Sequence, residues 1–201
     1  MKRYFGLLAL IALLAGPAWA LCQEQPRQAR VTLPDQFDKM QDSAQFQGDV
    51  AVLLYGDRTG MPANKELGTR LQVQFHPTAA GLAPGAASKQ PAKPLAGLPM
   101  GKRSPDVRVV PVACIGDVPN LVKKVIRNQV KKEAPDVPVW LDFGETMSKT
   151  FGMVEGQPNL VVLDAWGRVR YRAAGKVDAK TYARLVEVID YLRKEAAGLT
   201  Q

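Results

Sequence analysis

The chain has 201 residues, 46% apolar and 23% charged, an ordinary globular composition that excludes a mainly disordered polypeptide. Lys and Arg number 27 against 19 Asp and Glu, a formal charge of +8, which is too modest an excess to mark a nucleic-acid binder. One His and two Cys are too few for a Cys/His zinc site, no Walker-type phosphate loop is present, and nothing in the sequence calls for a metal or a cofactor.

Lys2-Arg3, an uncharged apolar run from Tyr4 to Gly16, and Ala18-Trp19-Ala20 form a secretory signal pattern over residues 1–20. The run is too short to span a bilayer in a mature protein. A retained anchor is the alternative. Lipid attachment at Cys22 is disfavoured, because Leu21 stands where a small residue is needed. The expected compartment is periplasmic or secreted, where cysteines can pair. Residues 21–29 read as a flexible arm, and 30–197 as a single domain.

Val31 to Gln36 reads as a short strand running into a turn, and the continuous apolar run Val50 to Tyr55 as a strand buried on both faces. After a Gly56–Gly60 loop, a helix opens at Pro62 with Ala63, Leu67 and Leu71 on one face. Residues 77–106 are low in complexity, rich in Ala, Pro, Gly and Lys. They are expected to form an extended surface insert, dispensable for folding, with His76 exposed beside it. Val107 to Cys114 is a strand in which Pro111 is awkward for a central position. The next helix, Pro119 to Lys132, is expected to bury Leu121, Val122, Val125, Ile126 and Gln129. That leaves Lys123, Lys124, Arg127, Lys131 and Lys132 as a basic face for an anionic surface. Val137 to Leu141 is a strand, and Glu145 to Phe151 a short helix closed by Gly152. Leu160–Asp164 and Arg168–Arg172 form a hairpin with Gly167 in its turn. A last helix, capped by Asp178, carries the stripe Tyr182, Leu185, Val186, Ile189 and Leu192. The order β-β-α-β-α-β-α-β-β-α predicts an α/β fold with a mixed central sheet and helices on both faces.

Thr32-Leu33-Pro34-Asp35-Gln36 followed by Gln47-Gly48-Asp49-Val50-Ala51-Val52-Leu53 resembles the opening of the redoxins. Phe151-Gly152-Met153-Val154 through Pro158 to Asp164, and then Gly167-Arg168-Val169, resemble their later segments. The chain is thus similar to the thioredoxin-like redoxin superfamily of the AhpC/TSA type, over about residues 30–195 apart from the insert. The resemblance implies a thioredoxin-like fold. It also implies a nucleophilic Cys between the buried strand and the next helix, where the helix dipole and free amides favour thiolate. Here that slot reads Gly56-Asp57-Arg58-Thr59-Gly60-Met61-Pro62. Whether Thr59 and Pro62 stand for a Cys-x-x-Cys or Pro62 for a peroxidatic Cys, sulfur is missing, and a Thr hydroxyl forms neither a disulfide nor a sulfenic acid.

The leading expectation is a thioredoxin-fold protein without a dithiol site, a binding or accessory protein of the cell envelope. The rival is a thiol oxidoreductase or peroxidase using Cys114, resolved by Cys22, against the plainer reading of Cys114 as a buried structural residue. A Cys22–Cys114 disulfide tethering the arm is a further alternative. A third reading is a protein that docks on anionic envelope surfaces. Asp57, Arg58 and Thr59 are candidates for holding a small anion, or simply for capping the helix. Pro158, in the place of the family's cis-proline, and Gln157 before it are candidates for pairing with an extended peptide, or for a structural turn. Trp166, at a turn tip, is a candidate contact anchor.

Overall fold

The computed structural model describes residues 28–200; the signal pattern, Cys22 and most of the arm lie outside the described residues. Its framework is a five-stranded sheet in the order β5-β4-β3-β6-β7. Strand β3 (Val50–Gly56) is central, with β4 (Val107–Cys114) parallel on one side and β6 (Asn159–Leu163) antiparallel on the other. Strand β5 (Trp140–Asp142) extends the parallel half, and β7 (Val169–Ala174) closes the antiparallel edge. A separate hairpin, β1 (Thr32–Pro34) with β2 (Met40–Asp42), packs over one face. Strand β2 is missing from the sequence expectation because Met-Gln-Asp has no strand-like alternation.

The unbroken apolar run of β3 supplies both cores, since side chains alternate across a strand. Ala51, Leu53 and Tyr55 join Val31, Leu33, Val112, Trp140, Met147 and Phe151 on one face. This layer is roofed by the hairpin and α4 (Thr146–Phe151). Val50, Val52 and Leu54 join Leu67, Leu71, Phe75, Leu185, Ile189 and Leu192 on the other, from α1 (Met61–Phe75) and α5 (Ala179–Ala196). Each fully buried Leu or Ile contributes about 1.5–3 kcal/mol. Pro111 is tolerated because β4 pairs with β5 only over Val112–Cys114, so it lies in a stretch with a single hydrogen-bonded neighbour. Gly152 (φ 76°) and Gly167 (φ 76°) hold the left-handed turns expected of them.

Two expectations are corrected. First, the 77–106 segment is tied to the domain. It contains the short helix α2 (Pro84–Ala87), and Ala79, Gly85, Ala87 and Pro105 are buried. The Lys93 amide donates to the Phe75 carbonyl (2.7 Å), and Gln72 Nε2 donates to the Ala87 carbonyl (3.0 Å). Arg193 of α5, only 1% exposed, donates Nε to the Pro105 carbonyl (2.9 Å), and NH2 to the Lys93 carbonyl (2.6 Å) and Ser104 Oγ (3.1 Å). His76 is buried, within hydrogen-bond distance of the Gln72 carbonyl (3.1 Å) and the Asp106 carboxylate (2.7 Å), because the docked segment covers it.

Second, α3 (Asn120–Glu133) is turned about its axis from the expected orientation, and none of its residues is fully buried. Leu121, Val122, Val125 and Gln129 are exposed; Ile126 alone of the expected face is half-buried. Lys123, Arg127 and Lys131 lean inward instead. Lys123 and Arg127 lie 5.5 and 5.3 Å from the Phe143 ring centre, and Lys131 lies 5.8 Å from that of Phe37. Arg127 pairs with Asp38 of the hairpin turn (2.9 Å), and Lys123 with Asp117 (3.6 Å). Aromatic faces and a carboxylate thus hold the basic stripe against the domain.

Candidate functional site

The sheet edge at which β3 and β4 end gathers most of the sequence candidates. Beyond Gly56 the chain turns through Asp57–Gly60 into α1. Asp57 Oδ1 accepts from the Thr59 amide (2.9 Å) and the Gly60 amide (3.0 Å), while Oδ2 accepts from the Gly156 amide (2.6 Å). The Gly156 amide, then that of Gly60 and, more weakly, that of Thr59 hold the carboxyl below the usual carboxylate range. Asp57 therefore orders the loop that leads into α1 and pins it to the loop before β6. The Thr59 and Gly60 amides are thus engaged within the loop, while the Arg58 side chain is exposed.

The opposing loop is equally constrained. Asn159 Oδ1 accepts from the Val154 amide (2.9 Å), and its Nδ2 donates to the carbonyls of Gln157 (2.8 Å) and Val154 (3.1 Å). The Gln157 amide donates to the Val154 carbonyl (3.3 Å), and the Pro158 carbonyl accepts from Gly175 (2.8 Å). No cis peptide bond occurs among the described residues, so Pro158 is trans, and the cis expectation is corrected. Both backbone polar groups of Gln157 thus have a partner inside the protein. Gly60 faces this loop so closely that a Cβ there would overlap the Gln157 carbonyl and press on Pro158 N. Asp57, Arg58, Thr59, Gln157 and Pro158 are thus brought together; Arg58, Thr59 and Gln157 are exposed, Pro158 is buried.

Cys114 ends β4 opposite Asp142 and beside Gly56, half-buried. Burial, then the carboxylate of Asp142 and, more weakly, that of Asp57 push its thiol up to about 12, against the hydrogen bond from the Gly56 amide. The thiol is protonated at neutral pH, the reverse of a redox nucleophile. Asp142 is occupied in capping α4, accepting from the amides of Gly144, Thr146 and Met147. Tyr55 donates its hydroxyl to the Gly152 carbonyl (2.6 Å). Cys22 lies outside the described residues. Among the described residues no group of three or more His, Cys, Asp or Glu is placed to hold a metal ion.

Sequence reasoning missed Asn64 and Asn159. Asn64, 3% exposed in α1, donates Nδ2 to the Tyr55 carbonyl (3.0 Å). Its signal was a polar residue three positions before Leu67, on the apolar face of α1. Trp166 is half-exposed at the β6–β7 turn, with the Arg168 guanidinium stacked 4.6 Å from its ring centre. Of the basic residues on α3, only Lys124 and Lys132 are exposed; Lys123, Arg127 and Lys131 are half-buried.

No family model matches the chain, and no curated protein matches it in sequence. Solved structures do match in shape. A protein from Bacteroides thetaiotaomicron assigned as a protein disulfide isomerase overlaps with a TM-score of 0.52 at 17% identity, covering 86% of this chain and 92% of its own. A protein from Chlorobium tepidum assigned as the thiol:disulfide interchange protein DsbE gives 0.51 at 15%, covering 83% and 95%. A secreted thiol-disulfide isomerase from Corynebacterium glutamicum gives 0.50 at 13%, covering 84% and 86%. Among the described residues no helix is long and apolar enough to cross a membrane. Strand order, helix placement and these overlaps establish a thioredoxin-like α/β fold for this chain.

Proposed function

We propose that this is an exported thioredoxin-fold protein that acts by binding, as an accessory protein of the cell envelope, rather than by thiol chemistry. The observation that carries the reading is the cysteine-free, internally hydrogen-bonded loop that leads into α1. In this loop Asp57 directs its own carboxylate at the Thr59 and Gly60 amides, and in either register of the resemblance Thr59 and Pro62 supply no sulfur. The thiol that remains at this edge, Cys114, is held protonated. What the edge offers a partner is the exposed set Arg58, Thr59, Pro62 and Gln157. The N-terminal signal pattern supports export to a periplasmic or secreted setting.

Insulin reduction with dithiothreitol, normalised to an authentic thioredoxin, tests the reading. Activity below about one per cent of that control is expected, and activity above it that Cys114→Ser abolishes overturns the proposal.

A further inference from the structure

Helix α3 is built inside out for a peripheral helix of a globular domain. Such helices bury their apolar stripe and show their lysines to water. Here Leu121 is 76% exposed, Val125 62% and Val122 40%, while Lys123, Arg127 and Lys131 rest on the domain's own aromatic rings. Leu121, Val125 and Lys132 follow one another at i, i+4 and i+11, which places them along one outward stripe. Val122 and Lys124 flank it, both exposed. The outward face is therefore a patch of three aliphatic side chains on the N-terminal half of the helix, with Lys124 at its margin and exposed Asn128, Gln129 and Lys132 continuing it.

We propose that this outer face of α3 docks on an anionic lipid surface, with Leu121, Val122 and Val125 entering the headgroup boundary and Lys124 and Lys132 meeting lipid phosphates. Aliphatic residues outward with lysines at their margin is the side-chain order of a helix lying in a membrane interface. Long lysine stems let the ammonium groups rise to the phosphates while the aliphatic residues sink. The inward stripe has a complementary role. By stacking on Phe143 and Phe37 and pairing with Asp38, it fixes the helix's rotation so that the apolar side stays outward. Charge selects the occupant. Pairing this face with a second copy would set Lys124 and Lys132 against their own counterparts, with Glu133 the only acid on α3 to offset them. An anionic bilayer meets both lysines favourably. The proposal relocates the anionic contact expected from the sequence, from the basic stripe to the apolar face, and it stands apart from any partner at the β3–α1 edge.

The test is co-sedimentation of the exported protein with vesicles. One set contains phosphatidylglycerol and phosphatidylethanolamine, the other phosphatidylcholine and phosphatidylethanolamine. The wild type is expected to bind the first set and not the second. Lys124→Gln/Lys132→Gln is expected to weaken binding by about fivefold per lysine, and Leu121→Ser/Val125→Ser by about tenfold or more. Lys89→Gln/Lys102→Gln, which removes the same charge from the 77–106 segment, is expected to leave binding unchanged. All four α3 positions are exposed, so the variants should keep the wild-type circular dichroism. Equal binding to the two vesicle sets would overturn the proposal, as would equal losses from the two lysine pairs or no effect of the Leu121/Val125 change. Absence of vesicle binding also overturns it and leaves the face to a protein partner.

Discussion

Replacing Arg193 by Ala should show how firmly the 77–106 segment is built into the domain. The guanidinium is almost fully buried, and its three hydrogen bonds end on Pro105, Lys93 and Ser104. Hydrogen bonds involving a charged group contribute about 1.5–3 kcal/mol each. Part of that gain is offset by desolvation. Burial holds the Arg193 pKa below its ordinary value, opposed by Asp190, Asp106 and Asp49. The Lys93 backbone lies in exposed chain and can return to water. A net loss of about 3–4 kcal/mol remains, a large share of the roughly 5–15 kcal/mol that holds a domain together. For a domain of this size it corresponds to a melting temperature lower by about 10 °C. Urea titration and thermal denaturation followed by circular dichroism measure it. Arg193→Lys should fall between the two, because one ammonium cannot span both carbonyls. A Gly/Ser replacement of residues 96–102 should shift the melting temperature by only a few degrees, whereas replacing all of 77–106 should collapse it. A loss below about 1 kcal/mol in Arg193→Ala would refute the clamp.

Gly60→Ala forces the helix start away from the Gln157 carbonyl and should cost about 2 kcal/mol, measurable by urea titration; a neutral result would show that the two loops are not in contact. Cys114, read peptide by peptide by mass spectrometry, should alkylate at neutral pH on the order of 10²–10³-fold more slowly in the folded protein than in urea, and equal rates would contradict the raised pKa. Burial alone would raise the Asp164 carboxyl, but the amide and guanidinium of Arg168, Arg170 and the Trp166 amide together hold it low. Its contribution to stability is therefore complete above about pH 4 and disappears as pH falls through the depressed pKa. Asp164→Asn should accordingly be less stable than wild type at neutral pH, with the two unfolding curves converging in acid; a constant gap across the pH range would exclude the linkage.

Local patterning along the chain already specified much of this protein. The unbroken apolar run of β3 requires a strand buried on both faces, and alternation along it divides the two cores. Asp178 and Gly152 mark helix ends through chemistry confined to a few residues, and Gly167 marks the hairpin turn in the same way. That the β3–α1 loop holds no cysteine was equally plain, since a missing atom type needs no coordinates. Tertiary structure decided the rest, wherever two local solutions were open. Helix α3 carries an apolar and a basic stripe, and its periodicity is satisfied whichever faces inward. Phe37, Phe143 and Asp38, brought from the hairpin turn and the loop after β5, select the basic one. Asp57 could have left its amides to a ligand, but the Gly156 amide, 99 positions away in sequence, completes its cage. His76 reads as a surface residue until the low-complexity segment folds back over it and over Arg193. Its carbonyls and Asp106 supply the partners that make their burial tolerable.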